Sequence, residues 1–264
     1  KQVMSILAQI VADQRKEIAL KKGVISETQL YTMPLYKRKT ISFSNAIKNT
    51  SIGIVAEHKR RSPSKPEIKL QSRVAEVAQG YEKSGVAAMS VLTNNQYFGG
   101  SLEDLLLARC ACNLPLLRKE FIVDAYQIHE AKAYGADAIL LIAACLTATE
   151  TNLLAKIAKS IGLEVLLEIH NKAELDESPL EYIDVVGVNN RNLKDFSVSL
   201  DTSLSLAEYI PTDKVKISES GISSHSAIAT LQQAGFDGFL MGEHFMLRES
   251  PGDAAQQFIK TFKP

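Results

Sequence analysis

A run of charged residues between Glu57 and Lys65 follows a short apolar segment and offers both acids and bases. Glu57 and Lys59 are two residues apart, so in an extended strand they point to one side and His58 points to the other. A carboxylate and an ammonium group held together tune each other's pKa and can act as a general acid and base. A solvated surface loop could contain the same charged residues. Because this run lies at the end of a predicted strand, we favour a functional site.

Polar side chains also end several later apolar segments. They are Lys119, Glu168, Asn189 with Arg191, Glu219 with Ser220, and Glu243, and the apolar Phe121 shares the side of Lys119. Each of these alone could be an exposed loop residue, but acids and bases that converge on one place are typical of a catalytic site.

The two turns Ser220-Gly221 and Gly242-Glu243 follow the last two apolar segments. Glycine turns at these places in a barrel form phosphate sites, where backbone N–H groups and a helix N-terminus hold the anion. We therefore predict a phosphate site at the end of the chain's last two strands.

Apolar segments and amphipathic segments alternate from residue 51 to the end of the chain. The predicted strands are 52–56, 87–92, 115–121, 138–144, 164–169, 185–189, 215–218 and 238–241, and the predicted helices are 69–83, 102–111, 125–134, 149–160, 172–176, 201–208, 224–233 and 252–262. The strands are nearly continuous apolar runs, as expected for a parallel sheet that is covered on both faces. Eight such units in about 210 residues indicate an α/β fold, a (β/α)8 TIM barrel.

The first 50 residues precede the barrel pattern. Apolar residues at helical spacing predict a helix over 2–21 and a second one over 42–48, with loop-like sequence between them. This segment is too small for a core of its own. We therefore expect a single barrel domain over 1–264, with 1–50 as a helical extension packed on it.

Composition excludes several classes of function. Lysine plus arginine and aspartate plus glutamate number 30 each, so there is no basic surplus for nucleic acid or an anionic membrane. The chain has no apolar run of 18 residues and no signal-peptide pattern, and its three cysteines do not form a disulfide framework. Cys110-Ala-Cys112 lacks the second pair that a metal site needs. We expect a cytoplasmic protein without metal or cofactor, as a monomer, with a homo-oligomer left open.

The charged run itself resembles a known signature. Residues 56–65, Ala-Glu-His-Lys-Arg-Arg-Ser-Pro-Ser-Lys, are similar to the E-x-K-x-x-S-P-S motif of the indole-3-glycerol phosphate synthase family, and segments 117–121, 167–170, 187–193 and 218–222 match further motifs of that family in order. The resemblance covers essentially the whole chain. It implies an enzyme of tryptophan biosynthesis that closes the indole ring of 1-(2-carboxyphenylamino)-1-deoxyribulose 5-phosphate and releases carbon dioxide and water.

The same resemblance implies roles for individual residues. Lys119 would donate the proton for ring closure, while Glu57, Lys59 and Glu168 would share the later proton transfers, and Asn189 and Ser220 would also belong to the catalytic set. Substrate would contact Arg191, Glu219 and an apolar pocket of Pro63, Phe98, Phe121, Leu140 and Leu193, and its phosphate would contact Ser220, Gly221, Gly242 and Glu243.

Three alternatives stay open at this point. The chain could be a related phosphate-binding barrel, such as phosphoribosylanthranilate isomerase, although that enzyme would have Cys where Glu57 stands. It could also be a barrel scaffold without activity, although no acid–base residue is lost. Arg191 could hold a glutamate in place instead of binding substrate, since arginine pairs readily with carboxylates.

Overall fold

The computed structural model describes residues 5–193 and 195–262. Eight parallel strands close into a barrel in which neighbours in sequence are neighbours in space. The strands are β1 (Gly53–His58), β2 (Ala88–Leu92), β3 (Leu116–Lys119), β4 (Ala138–Ile142), β5 (Glu164–Ile169), β6 (Val185–Asn189), β7 (Val215–Glu219) and β8 (Gly238–Met241). The predicted (β/α)8 barrel is confirmed.

Helices precede the barrel and alternate with its strands. They are α1 (Ile6–Val24), α2 (Glu27–Thr32), α3 (Phe43–Lys48), α4 (Val74–Ser84), α5 (Asn95–Phe98), α6 (Leu102–Ala111), α7 (Ala125–Ala133), α8 (Ala148–Ser160), α9 (Lys172–Glu177), α10 (Asp201–Leu206), α11 (His225–Gln233), α12 (Glu243–Met246) and α13 (Pro251–Thr261). The predicted helix over 2–21 is present as α1 and runs to Val24, while residues 2–4 lie outside the described part of the chain.

The predicted elements differ from the observed ones at their ends. The strand predicted over 115–121 ends at Lys119, and the one over 138–144 ends at Ile142, where a 3₁₀ turn begins. The helix predicted from residue 69 begins at Val74, because the preceding residues belong to the loop after β1. Apolar side chains continue past each strand, but backbone pairing with the neighbouring strand does not.

Three short helices escaped prediction. Helix α2 lies in sequence that was expected to be a loop, and α5 and α12 follow β2 and β8. Helices α5 and α12 have four residues each, about one turn, which is too short to show a 3.6-residue period, and α2 has a single buried apolar side chain, Leu30. The local signals are the side chains of Ser26 and Asn94, which cap α2 and α5 by accepting backbone N–H groups, and Gln29, which completes a capping box at α2.

Helix α3 closes the amino end of the barrel. Phe43 and Ile47 are fully buried in the same cluster as the side chains that fill the barrel. Gly53 and Gly238 are paired across β1 and β8, and a Cβ atom at either position would lie within 2.8 Å of the Ile47 side chain. These two glycines therefore make room for the helix that seals the barrel.

Candidate active site

A cavity of about 500 Å³ opens at the carboxyl ends of the strands. Every residue that the sequence singled out lines it: Glu57, Lys59, Pro63, Phe98, Lys119, Phe121, Leu140, Glu168, Asn189, Arg191, Leu193, Glu219, Ser220, Gly221, Gly242 and Glu243. Parallel strands present their carboxyl ends at one face of a barrel, which is why residues so distant in sequence meet here. The structure brings the whole set together, and the role of each residue stays a prediction.

Strand β1 delivers an acid beside a base. Glu57 is buried, with Oε1 3.2 Å from Lys59 Nζ, and its Oε2 accepts a hydrogen bond of 3.1 Å from the Ser90 hydroxyl. Burial acts to raise the pKa of Glu57, but the charges of Lys59 and Lys119 outweigh it and hold that pKa below its usual value. His58 points to the outer layer, as the strand alternation predicts.

Lys119, at the end of β3, is surrounded by carboxyl groups. Its Nζ lies 2.5 Å from Glu219 Oε2 and 3.6 Å from Glu168 Oε2. Burial acts to lower the pKa of Lys119, but Glu219, Glu168 and Glu57 outweigh it and raise the pKa above its usual value. Lys119 is therefore an ammonium ion at neutral pH and has a proton to donate.

Glu219 is the carboxyl group with the weakest acidity in this cluster. Burial, followed by the charge of Glu168, raises its pKa to about 7 against the opposing effect of Lys119. Burial also acts to raise the pKa of Glu168, but the charges of Lys119 and His170 outweigh it and hold that pKa below its usual value, so Glu219 is the weaker acid of the two. Gly187 leaves the space for this arrangement, because a Cβ atom there would overlap Glu219 Oε1.

A hydrogen-bonded chain connects Glu168 to the turn after β7. Asn189 donates to Glu168 Oε1 (3.1 Å) and accepts from the Ser220 hydroxyl (2.9 Å) and from the backbone N–H of Arg191 (3.0 Å). The Arg191 guanidinium donates to the Phe196 carbonyl oxygen. Within residues 5–193 and 195–262, no carboxylate lies at ion-pair distance from Arg191, which favours substrate contact over the alternative of holding a glutamate.

The turns after β7 and β8 form the polar end of the cavity. Ser220 and Gly221 both have left-handed backbone angles, with φ values of 70° and 77°. This conformation costs a serine free energy and is typical of ligand sites. Gly242 immediately precedes α12, and the first residue of that helix, Glu243, is paired with Lys65 at 2.7 Å, so its carboxylate is offset by an ammonium group.

The opposite wall of the cavity is apolar. The rings of Phe98 and Phe121 are tilted against each other with centroids 6.0 Å apart. Leu140, Leu193 and Pro63 are further apolar residues of the cavity lining. A flat aromatic ring fits the surface of Phe98 and Phe121, which follow β2 and β3, and β3 lies across the closed barrel from β7.

Helix α1 contributes a wall that the sequence did not predict. Ile6, Leu7 and Ile10 line the cavity, and Gln14 further along the helix donates to Glu120 Oε1 (3.2 Å) on the loop after β3. The apolar spacing of α1 predicted a helix packed on the barrel. It carried no signal of which end of the barrel the helix would cover.

The cavity shows no sign of a metal centre. Within the described ranges, no group of three His, Cys, Asp or Glu side chains could hold a metal ion, and no helix is both long and apolar enough to cross a membrane.

The fold and this cavity define a (β/α)8-barrel enzyme with acid–base groups at its strand ends. A solved structure of thiamine phosphate pyrophosphorylase from Pyrococcus furiosus has the same fold, with a TM-score of 0.59 and 16% identity over 83% of this chain and 96% of that one. The sequence profile of the family described as indole-3-glycerol phosphate synthase matches residues 7–259. The chain therefore belongs to the indole-3-glycerol phosphate synthase family, and it is a carboxy-lyase of tryptophan biosynthesis.

Individual relatives agree with this membership. Indole-3-glycerol phosphate synthase of Bacteroides thetaiotaomicron is 44% identical over 98% of this chain and 99% of its own length. The enzymes of that name from Dechloromonas aromatica and a Polaromonas species are 43% and 46% identical over 94% and 78% of this chain. The family resemblance is confirmed, and the isomerase and scaffold alternatives lose their support.

Proposed function

We propose that this cavity converts 1-(2-carboxyphenylamino)-1-deoxyribulose 5-phosphate to indole-3-glycerol phosphate, carbon dioxide and water. The observation that supports it is the placement of one acid–base cluster between an apolar wall and a left-handed turn typical of anion sites. The substrate has the matching parts in the same order, with an aromatic ring at one end, a ketone in the middle and a phosphate at the other.

Substrate orientation follows from these two ends. The phosphate binds at the turns of Ser220-Gly221 and Gly242-Glu243, and the anthranilate ring lies against Phe98 and Phe121. This pose brings the ketone to the middle of the cavity, where Lys119 stands. Holding the reacting carbon near the ketone turns ring closure into an oriented intramolecular step, which lowers its entropic cost.

Ring closure is assigned to Lys119. A ring carbon attacks the ketone carbon, the carbonyl π bond breaks, and Lys119 gives its proton to the oxygen. The carbon–carboxylate bond then breaks, its electron pair returns to the ring system, and carbon dioxide leaves. General acid catalysis of this kind is typically worth about 10² to 10⁴ in rate.

Dehydration is assigned to the pair on β1. Glu57, which is held ionised, takes a proton from the methylene carbon bound to the ring nitrogen, and Lys59 protonates the departing hydroxyl group. The electron pair of the broken C–H bond forms the double bond of the indole, and the nitrogen keeps its hydrogen. Glu57 can then return its proton to Lys59 across the 3.2 Å between them. This pair thus ends the cycle with the protons that it had at the start.

A fluorescence assay tests the proposal. Indole-3-glycerol phosphate is a fluorescent indole, so its formation from the carboxyphenylamino substrate is followed directly by indole emission with carbon dioxide measured in parallel. We expect equal amounts of both products. Phosphoribosylanthranilate isomerisation without carbon dioxide release, or no turnover at all, would overturn the proposal.

A further inference from the structure

His170 directly follows β5 and is two residues beyond Glu168, so both side chains leave the strand on one side. The imidazole lies between two carboxylates. Its Nε2 atom is 3.4 Å from Glu168 Oε1, and its Nδ1 atom is 3.2 Å from Glu174 Oε2, which comes from the first turn of α9. No role has been assigned to His170 in the proposed reaction, although it touches a residue of the acid–base cluster.

Within the described part of the chain, the Nε2 atom has no polar partner besides Glu168. It is buried and makes no hydrogen bond, since its alignment with Glu168 is too poor for one. A buried imidazole nitrogen without a partner is costly unless it serves a function. A small rotation of either side chain would complete a hydrogen bond between them.

Charged and titratable groups face His170 from each element packed around it. They are Glu168 on β5, Glu174 on α9, Glu219 on β7, Lys119 on β3 beyond Glu168, Arg191 after β6, and the Cys145 thiol on the 3₁₀ turn. Burial acts to lower the pKa of His170, but the carboxylates outweigh it and raise the pKa above its usual value. The ring is therefore more often protonated near neutral pH than a free imidazole.

His170 also stands between two cavities. A second cavity of about 530 Å³ lies outside the loops that follow β5 and β6, and it is lined by His170 and Glu174 but not by Glu168. The first cavity is lined by Glu168 but not by His170. The two cavities adjoin, since Leu7, Asn189, Arg191 and Leu193 line both. Asn189 and His170 both contact Glu168 and line the second cavity, and of these two side chains the imidazole is the one that can take up and release a proton.

The proposed reaction, on which this inference rests, requires such a connection. A carboxylate leaves as carbon dioxide and a hydroxyl group leaves as water, so each turnover takes up one proton. The pair of Glu57 and Lys59 returns to its starting state, whereas Lys119 ends the cycle one proton short. Bound substrate fills the first cavity and hinders water from reaching Lys119 directly.

We propose that His170 is a relay that recharges Lys119 through Glu168 with a proton from the second cavity. The imidazolium gives its Nε2 proton to Oε1 of the Glu168 carboxylate, 3.4 Å away. The carboxyl group then turns to bring this oxygen to the place of Oε2, which lies 3.6 Å from Lys119 Nζ, and the Lys119 amine takes the proton. The neutral ring turns about its Cβ–Cγ bond, takes a proton from water of the second cavity on the freed nitrogen, and turns back. One proton enters from solvent in each cycle, which balances the reaction.

Glu174 positions the ring in this relay. Its Oε2 atom faces Nδ1 and also accepts the backbone N–H of His170 at 2.7 Å, while its Oε1 atom accepts from Asn171 at 2.8 Å. These bonds also stabilise the first turn of α9, so a structural role for Glu174 has to be separated from the relay. Glu174→Gln keeps an oxygen acceptor for the backbone while it removes the negative charge.

Chemical rescue tests the relay. We expect His170→Ala to lose about tenfold or more in kcat, a smaller loss than for a group that acts on substrate. Imidazole in solution should restore activity, because it can enter the space left beside the second cavity. Pyrazole has nearly the same shape but is not protonated near neutral pH, so it should not. Rescue by both compounds alike, or by neither, would overturn the relay.

A second variant keeps the relay testable if His170→Ala folds poorly. His170→Gln keeps the size of the side chain and a hydrogen-bond donor but cannot accept and release a proton. The relay predicts that its kcat falls and no longer depends on pH across the titration of His170. A kcat within twofold of the unchanged protein, with the same pH profile, would exclude the relay.

Titration of the unreacted protein separates this inference from the proposed function. The pKa of His170, followed by NMR of the imidazole without substrate, should fall in Glu174→Gln and in Glu168→Gln. If neither variant moves it, the coupling is absent and the relay is wrong, whatever the enzyme's activity. If wild type forms no indole product while the titration behaves as expected, the proposed function has failed instead.

Discussion

Two buried clusters of charge lie at opposite ends of the same barrel and are built in opposite ways. At the amino end, Asp137 is fully buried in front of β4. One of its oxygens accepts from Arg38 (2.7 Å) and from the backbone N–H of Ile41 (2.8 Å), and the other from Arg109 (2.9 Å) and from the N–H of Leu116 (2.9 Å). Both oxygens of this carboxylate are therefore fully partnered.

The cluster at the carboxyl end is not satisfied in this way. Lys119 faces Glu219 and Glu168 at close range, and Glu57 adds further negative charge. Glu219 Oε1 and His170 Nε2 are buried without hydrogen bonds within the described residues. Acids outnumber bases in this cluster, and one carboxyl group keeps its proton at a pH where carboxyls are normally ionised.

The difference separates charge that supports folding from charge that can react. Removing one member of a satisfied buried ion pair leaves the other without compensation and is strongly destabilising. A group with unfilled hydrogen bonds and a shifted pKa is instead ready to exchange a proton, which is why such groups gather at catalytic sites. Asp137 belongs to the first kind, and we assign the cluster around Lys119 to the second.

The amino end repeats its design in two more places. Asp184 and Asp237 precede β6 and β8, and each accepts a backbone N–H from the preceding strand at 2.8 Å. Neither has the two arginine partners of Asp137; Asp184 pairs with Lys159 at the surface. This series offers matched controls in which the backbone bond is kept constant and the buried ion pairs differ.

The largest effect is expected from a substitution in the charged cluster at the carboxyl end of the barrel. Lys119→Met keeps the length of the side chain but removes the proton, so we expect kcat to fall by about 10² to 10⁴. Thermal stability should change much less, because the neighbouring carboxyls can take up protons once the ammonium is gone. A variant within a few-fold of wild-type kcat in the indole assay would refute the assignment of Lys119 as the acid.

The second prediction breaks the satisfied cluster. Asp137→Asn leaves Arg38 and Arg109 without their buried counter-charge, and we expect a loss of about 3 to 5 kcal/mol in the free energy of unfolding. Below the unfolding transition kcat should be unchanged. Asp237→Asn is the control, with an expected loss of about 1 kcal/mol. Denaturant unfolding of both variants measures the two losses. Equal losses would show that the arginine pairs add nothing to the free energy of unfolding.

The third prediction concerns the turn that we assign to phosphate. Gly221→Ala would place a Cβ atom on Val198 at a left-handed φ of 77°, which costs roughly 1 to 3 kcal/mol. We expect a higher KM with a smaller change in kcat, and partial recovery when Val198→Ala is added. Gly242 is less suitable, because a Cβ atom there would lie 3.1 Å from Glu57. A fall in kcat alone would place the phosphate elsewhere.

The smallest expected effect is a pH dependence of stability that comes from Glu219. The folded pKa of Glu219 is raised to about 7, so the folded state holds this proton longer than the unfolded chain does. Its contribution to stability is therefore full below the unfolded value of 4.5 and decreases as pH rises toward 7. Glu219→Gln removes that dependence.

The Glu219 prediction is measured as a difference between two melting temperatures. The Tm of Glu219→Gln minus that of wild type should increase from pH 5 to pH 8. Asp237→Asn, which does not touch the cluster, serves as the reference for general effects of pH. A difference that stays constant over this range would show that Glu219 is ionised as in the unfolded chain.

The sequence alone determined the barrel and the composition of its site. Alternating apolar and amphipathic segments fix the βα order, and the two-residue repeat of a strand predicts that Glu57 and Lys59 face one way while His58 faces the other. These are local properties, because each depends on neighbours within one element. The family motifs were readable for the same reason, as short unbroken segments.

Only the tertiary structure decided which charges meet and how strongly they act on one another. Lys119 and Glu219 are 100 residues apart, and their contact depends on barrel closure. Strand register and the missing side chain of Gly187 set the position of Glu219, and burial in this place shifts its pKa. The cover supplied by α1 and the place of His170 between two cavities likewise depend on packing, because desolvation and distance are properties of the folded chain that no single segment contains.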